Sequence, residues 1–195
     1  QTYKDSFSGL AKEVWLLAFV TFVNRAGAMV LPFLSIYLST IEGYSLSTTG
    51  TILLFYGIGS FFGNYLGGVL SDQVGPFRLQ LLSLISTSFA FLTLSHLHTP
   101  ISMAIGLFTT SLLADTFRPA NMASLGILST PESRTNAVGV IRLAINIGFA
   151  AGPASGGIIA HSFGYDLLFI IDGGSCFLAG LFLLYFFGKY MKEEG

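Results

Sequence analysis

Charge is what this sequence has least of. Only 10% of its 195 residues are Asp, Glu, Lys or Arg, against roughly 25% in a soluble domain. That excludes a chain whose whole surface faces water. No charged residue occurs between Glu42 and Asp72, between Arg78 and Asp115, or between Arg142 and Asp166. A single cysteine, Cys176, excludes an internal disulfide, and its apolar run reads as the setting of a small buried residue. A net charge of −1 without a basic stripe offers nucleic acid no surface. The loop G-x4-GK[ST] is missing, which excludes an ATP-driven motor of that kind, and no other cofactor motif occurs. His96, His98 and His161 are too few and too loop-bound for a metal site. The start, "QTYKDSFSGLAKE", has no Met and no signal-peptide pattern, so the chain reads as a fragment.

What remains is apolar. Hydrophobic residues make up 52% and aromatics 14%. About 20 apolar residues cross a bilayer core of roughly 30 Å as a helix, so the pattern is that of an all-α, multi-pass membrane protein. Six spans are expected, at about Val14–Leu38, Ser47–Leu70, Leu79–Leu97, Ile101–Leu125, Asn136–Ala160 and Leu167–Phe187. The turn signals "EGYS", "SDQVGPFR", "HLHTP", "STPESRT" and "HSFGYD" separate them. Pro100 suits a first helical turn, where its missing N–H costs nothing. Lys4, Lys12, Arg78, Arg134, Lys189 and Lys192 all fall on one side, while the opposite loops carry neither Lys nor Arg. Both termini are therefore expected to be cytoplasmic.

The glycines hold a second pattern. A shift of 89 residues carries Gly50, Gly59, Gly63, Gly67, Gly68 and Gly75 onto Gly139, Gly148, Gly152, Gly156, Gly157 and Gly164. It lays residues of about 14–97 onto about 101–188, so three spans repeat as three more. An odd number of spans turns the second copy upside down. Inverted repeats of this kind build secondary transporters, whose substrate sites lie at the repeat interface near the midplane.

Within "GFAAGPASGG", residues 148–157, three glycines recur at every fourth position. Such a stripe lets helix backbones approach closely in lipid. Pro153 is expected to kink or loosen the helix, its freed carbonyl being satisfied by packed neighbours. Ser155 raises an enzymatic alternative, an intramembrane serine protease, but His161 stands six residues on and points to a different face. A non-transporting membrane scaffold is the other alternative outside transport.

Ionisable groups at membrane depth face a cavity or a partner. Asn24 and Arg25 sit near the middle of the first span, and Arg25 has no partner in its own helix. Asp115 and Arg142 each lie about 10 Å inside the cytoplasmic boundary by helical rise, which makes an Asp115–Arg142 pair plausible. Arg118 shares a face with Asp115 and competes for it, or snorkels to the interface as Arg134 does. Arg142 and Asn146 stand about 100° from the glycine stripe, so they are expected to line a cavity while the stripe packs. Asp115 and Asp172 are the candidates for proton titration.

These residues resemble the N-terminal six-helix half of a major facilitator superfamily transporter. "GVLSDQVG" is similar to the family's loop between helices 2 and 3, G-x3-D-[RK]-x-G-[RK]-[RK]. Gly68, Asp72 and Gly75 match, Gln73, Pro76 and Phe77 replace basic residues, and Arg78 comes one place late. The helix 5 antiporter signature, G-x8-G-x3-GP-x2-GG, is filled by Gly139, Gly148, Gly152, Pro153, Gly156 and Gly157. "FRPANMASLGILSTPESR" and "RLAINIGFAAGP" resemble segments of its drug/proton antiporters. The resemblance covers nearly the whole chain. It implies half of a twelve-helix fold in a plasma (inner) membrane, partnered by lipid and a missing C-terminal six-helix half. It further implies alternating access with proton-coupled export of a small molecule. A uniporter or symporter for a sugar or amino acid is the alternative within transport.

Overall fold

A computed structural model of the chain describes residues 9–194; Lys4, used above for orientation, lies outside them. Among the described residues the secondary structure is entirely helical. The helices are α1 (Lys12–Ala26), α2 (Val30–Ile36, continued by a π-helical turn Tyr37–Ile41), α3 (Leu46–Val74), α4 (Pro76–Leu94), α5 (Pro100–Asp115), α6 (Phe117–Leu128), α7 (Arg134–Phe163) and α8 (Asp166–Glu193). They make six stretches long and apolar enough to cross a membrane, at the six expected places. The first is α1 with α2, the fourth α5 with α6.

Local chemistry sets the ends. Ser45 caps α3, its side chain accepting from the Thr48 N–H at 3.1 Å. Thr99 and Ser102 form a reciprocal capping box at the start of α5. Pro76 and Pro100 open α4 and α5, where a missing N–H is harmless. The expected loop "SDQVGPFR" is not one: α3 runs helically through Ser71–Val74, and only Gly75 separates it from α4. Gly75 has φ +90°, a left-handed conformation that suits glycine and makes the reversal in one residue. α7 continues as one helix through Pro153, so the proline does not interrupt it.

Two spans are interrupted instead. The first breaks over Gly27–Met29, the fourth at Thr116. Around these breaks α3 packs on α5, α4 on α8, and α1 on both α7 and α8.

The buried apolar residues divide into two cores. One gathers Val14, Leu17, Phe77, Leu125, Val140 and Phe187 from the ends of the spans on one side. The other gathers Leu34, Leu38, Ile52, Leu94, Met103 and Phe169 from the opposite ends. Between them lies a belt of buried polar groups that includes Ser83, Thr87 and Asp172. Large apolar side chains such as Phe61, Ile101 and Tyr185 point outward, as a lipid-facing surface requires.

Candidate functional site

The polar belt encloses a cavity of about 270 Å³, near the lower bound of roughly 300 Å³ typical of small-molecule sites. All six spans contribute to its wall, with Asn24 and Arg25, Tyr56 and Ser60, Thr87, Asp115 and Arg118, Phe149, and Asp172. Four of the residues singled out from sequence for proton or substrate roles thus meet at one place: Asn24, Arg25, Asp115 and Asp172.

Asp172 explains the break in the first span. The opening N–H groups of any helix lack intrahelical acceptors, and those of α2 begin inside the bundle. Asp172, only 2% exposed, accepts from the Met29 N–H through Oδ1 at 2.8 Å and from the Val30 N–H through Oδ2 at 3.0 Å. A carboxylate on α8 therefore caps α2. Ser175, one turn on, donates to the Asp172 carbonyl at 2.9 Å and packs where any side chain on Gly27 would stand.

Arg25 lies two residues before the break. Its guanidinium sits 5.5 Å from the centroid of the Phe149 ring, within cation–π range. Asp115 attracts it and Arg118 repels it. Among the described residues, its buried Nε–H meets no acceptor, and the buried Thr87 hydroxyl has no partner either. Asn24 donates to the Cys176 sulfur at 3.4 Å, which leaves Cys176 buried beside the cavity.

The ion pairs expected of Asp115 do not form. Among the described residues neither Arg118 nor Arg142 comes within 4.0 Å of it. Asp115 ends α5 and Arg118 stands in the first turn of α6, with Thr116 between them in helical dihedrals (φ −67°, ψ −23°), yet the two side chains stay apart. Arg142 and Asn146 lie on an exposed face of α7 and line no part of this cavity. Gly148 and Gly152, about 100° round the helix, turn toward α1 instead, against Arg25 and the carbonyls of Ala26 and Ala28. Gly156 and Gly157 pack on Met29 and Phe33, while Gly139 faces open space. Ser155 donates to the Ala151 carbonyl at 2.7 Å, a bond within its own helix.

The residues of the expected conformational loop also fall into place. Gly68 and the exposed Asp72 belong to α3, Gly75 is the reversal, and Arg78 stands in the first turn of α4. There Glu194, at the end of α8, accepts from the Phe77 and Arg78 N–H groups, both at 3.0 Å. The Arg78 Nε–H donates to the Met191 carbonyl at 2.7 Å. Sequence reasoning missed Tyr56, Thr87 and Phe149 as cavity residues; an aromatic or threonine in an apolar span carries no signal of what it faces.

The sequence profile of the Major Facilitator Superfamily matches residues 14–195. The chain belongs to the Major Facilitator Superfamily. Its cavity is thus the polar centre of a six-span, multi-pass integral membrane protein of a transporter family. The chain is 31% identical over 93% of its length to the "Uncharacterized MFS-type transporter YttB" of Bacillus subtilis, covering 44% of that protein. It is 26% identical over 89% of its length to the "Na(+), Li(+), K(+)/H(+) antiporter" of Planococcus maritimus, covering 41% of it. It is 22% identical over 92% of its length to the "Multi-drug resistance efflux pump PmrA homolog" of Lactococcus lactis, covering 45% of it. The chain thus spans less than half the length of each of these superfamily relatives.

Proposed function

We propose that this chain is the N-terminal half of a secondary active transporter that exports a small molecule by alternating access, in exchange for protons. The observation that carries the reading is the gathering of Arg25, Asp115 and Asp172 around one mid-span cavity. Ionisable groups at that depth are costly and mark substrate and proton routes. Relatives named as a cation/proton antiporter and as a multidrug efflux pump agree with it.

In this reading Asn24 and Arg25 contact the substrate. Asp115 and Asp172 are the proton carriers. A proton on Asp172 removes an acceptor from the Met29 and Val30 amides and loosens the break in the first span. Arg142 and Asn146, outside this cavity on the exposed face of α7, face a second six-helix half. Gly68, Asp72, Gly75 and Arg78 form the joint that moves between states, where Glu194 ties α4 to α8. Both termini are cytoplasmic, in the plasma membrane. The two halves of the chain are an inverted repeat. Two observations support that last point: the 89-residue shift carries Gly27 onto Thr116, the two breaks, and it carries the contact of α3 with the fourth span onto that of α7 with the first.

The experiment is efflux driven by a pH gradient, measured with the full-length protein in proteoliposomes. Asp115→Asn and Asp172→Asn are each expected to abolish gradient-driven efflux while counterflow persists. A variant that keeps full gradient-driven efflux is no proton carrier, and the proton-coupled reading is lost if both do. Undiminished wild-type transport without any gradient would indicate a uniporter.

A further inference from the structure

Resting on the transporter reading, the charges of the cavity narrow what it can hold. Four charged side chains line it: Arg25, Arg118, Asp115 and Asp172. They balance in number but not in availability. Each carboxylate oxygen of Asp172 already accepts one of the amides that open α2, and the residue is only 2% exposed. Asp115 shares the cavity wall with two arginines, Arg25 half-buried and Arg118 at the exposed rim. The unpaired polar atoms add to this. Among the described residues the buried Arg25 Nε–H is a donor without an acceptor, and the buried Thr87 hydroxyl, which can donate or accept, has no partner; such groups remain unsatisfied until a ligand or water pairs with them. Phe91, Phe117, Phe149 and Tyr56 add aromatic wall beside them.

We infer that the cavity takes an organic anion, a small molecule with an apolar, ring-sized body and one carboxylate or sulfonate group held by Arg25. A cationic ligand would have to reach Asp115 past two like charges, a juxtaposition that interfaces use to reject partners. Asp115 competes with the anion for Arg25.

The test uses two probes of one shape and opposite charge, 2-naphthoate and 2-naphthylmethylammonium. Binding to the detergent-solubilised full-length protein is measured by calorimetry and flux in proteoliposomes. Naphthoate is expected to bind at least about tenfold more tightly than the ammonium, the scale of one hydrogen bond to a charged group. Arg25→Gln should lose most of that difference, Arg25→Lys should retain the anion preference, and Asp115→Asn should tighten naphthoate. The inference is overturned if the ammonium binds as well or better, if neither probe binds, or if Arg25→Gln leaves naphthoate affinity unchanged in a protein that elutes as wild type. Gradient-driven flux of the ammonium alone would overturn the anion assignment and leave the transporter reading standing. Naphthoate binding without flux of either probe would support the assignment and count against transport.

Discussion

Two glycine ladders with the same spacing meet different surfaces. In α3, Gly59, Gly63 and Gly67 lie against the backbone of the fourth span at Phe108, Leu112 and Thr116. A methyl group on Gly63 would collide with the Leu112 carbonyl and Cα, atoms that cannot turn aside. In α7, Gly148 meets the Arg25 side chain and the adjoining backbone, while Gly152 faces the carbonyls of Arg25, Ala26 and Ala28 where the first span comes apart. A methyl on Gly152 would stand 3.1 Å from the nearest of them, the Ala26 oxygen. The first ladder clamps two helices together; the second makes room for a helix that is broken. The same spacing in sequence therefore specifies close approach and leaves open what is approached.

Substitutions separate the two roles. Gly63→Val is expected to have the largest effect, a loss of about 3 kcal/mol from overpacking against rigid backbone, read as a fall in melting temperature in detergent and in yield. A variant that melts like wild type would break the clamp assignment. Gly152→Ala should cost about 1 kcal/mol or less, because its neighbours need to yield only a few tenths of an ångström. Its turnover in proteoliposomes should nonetheless fall by more than the lost stability explains, since the methyl abuts the break. Equal losses of stability and turnover would erase the distinction between the ladders. The smallest effects belong to Gly50→Ala and Gly139→Ala, both of which face open space. Each should be neutral or stabilise by up to about 1 kcal/mol through helix propensity, and a marked drop in melting temperature in either would show that spacing rather than contact governs these glycines.

The number and position of the spans were legible because the exclusion of charge from lipid is a strong constraint on sequence. The interruptions were not. "RAGAM" at the first break and "DTFRP" at the second contain nothing that a packed helix must avoid apart from Pro119, and that proline suits the first turn of α6. The one-residue reversal at Gly75 was hidden because "SDQV" is polar enough to read as loop, though it extends α3 beyond the apolar stretch. Asn24, Arg25, Asp115 and Asp172 were legible as a set, since each is an expensive residue to place mid-span. Their relations were not. The partners of Asp172 are backbone amides, which have no side-chain signature, and a shared depth in the membrane did not bring Asp115 and Arg142 together, since Arg142 lies on the exposed face of α7.

The cap on α2 also has a history in time. The Met29 amide and the Asp172 carboxylate that receives it are 143 residues apart. At about 5–20 residues per second, a ribosome takes roughly 7 to 30 s to travel between them. Throughout that interval the first span has left the ribosome with an arginine at mid-depth and two amides still seeking an acceptor. Its cap remains incomplete until the last of the six spans arrives, so the step that completes this six-span bundle during biosynthesis is the docking of α8 onto a helix that has been waiting for it.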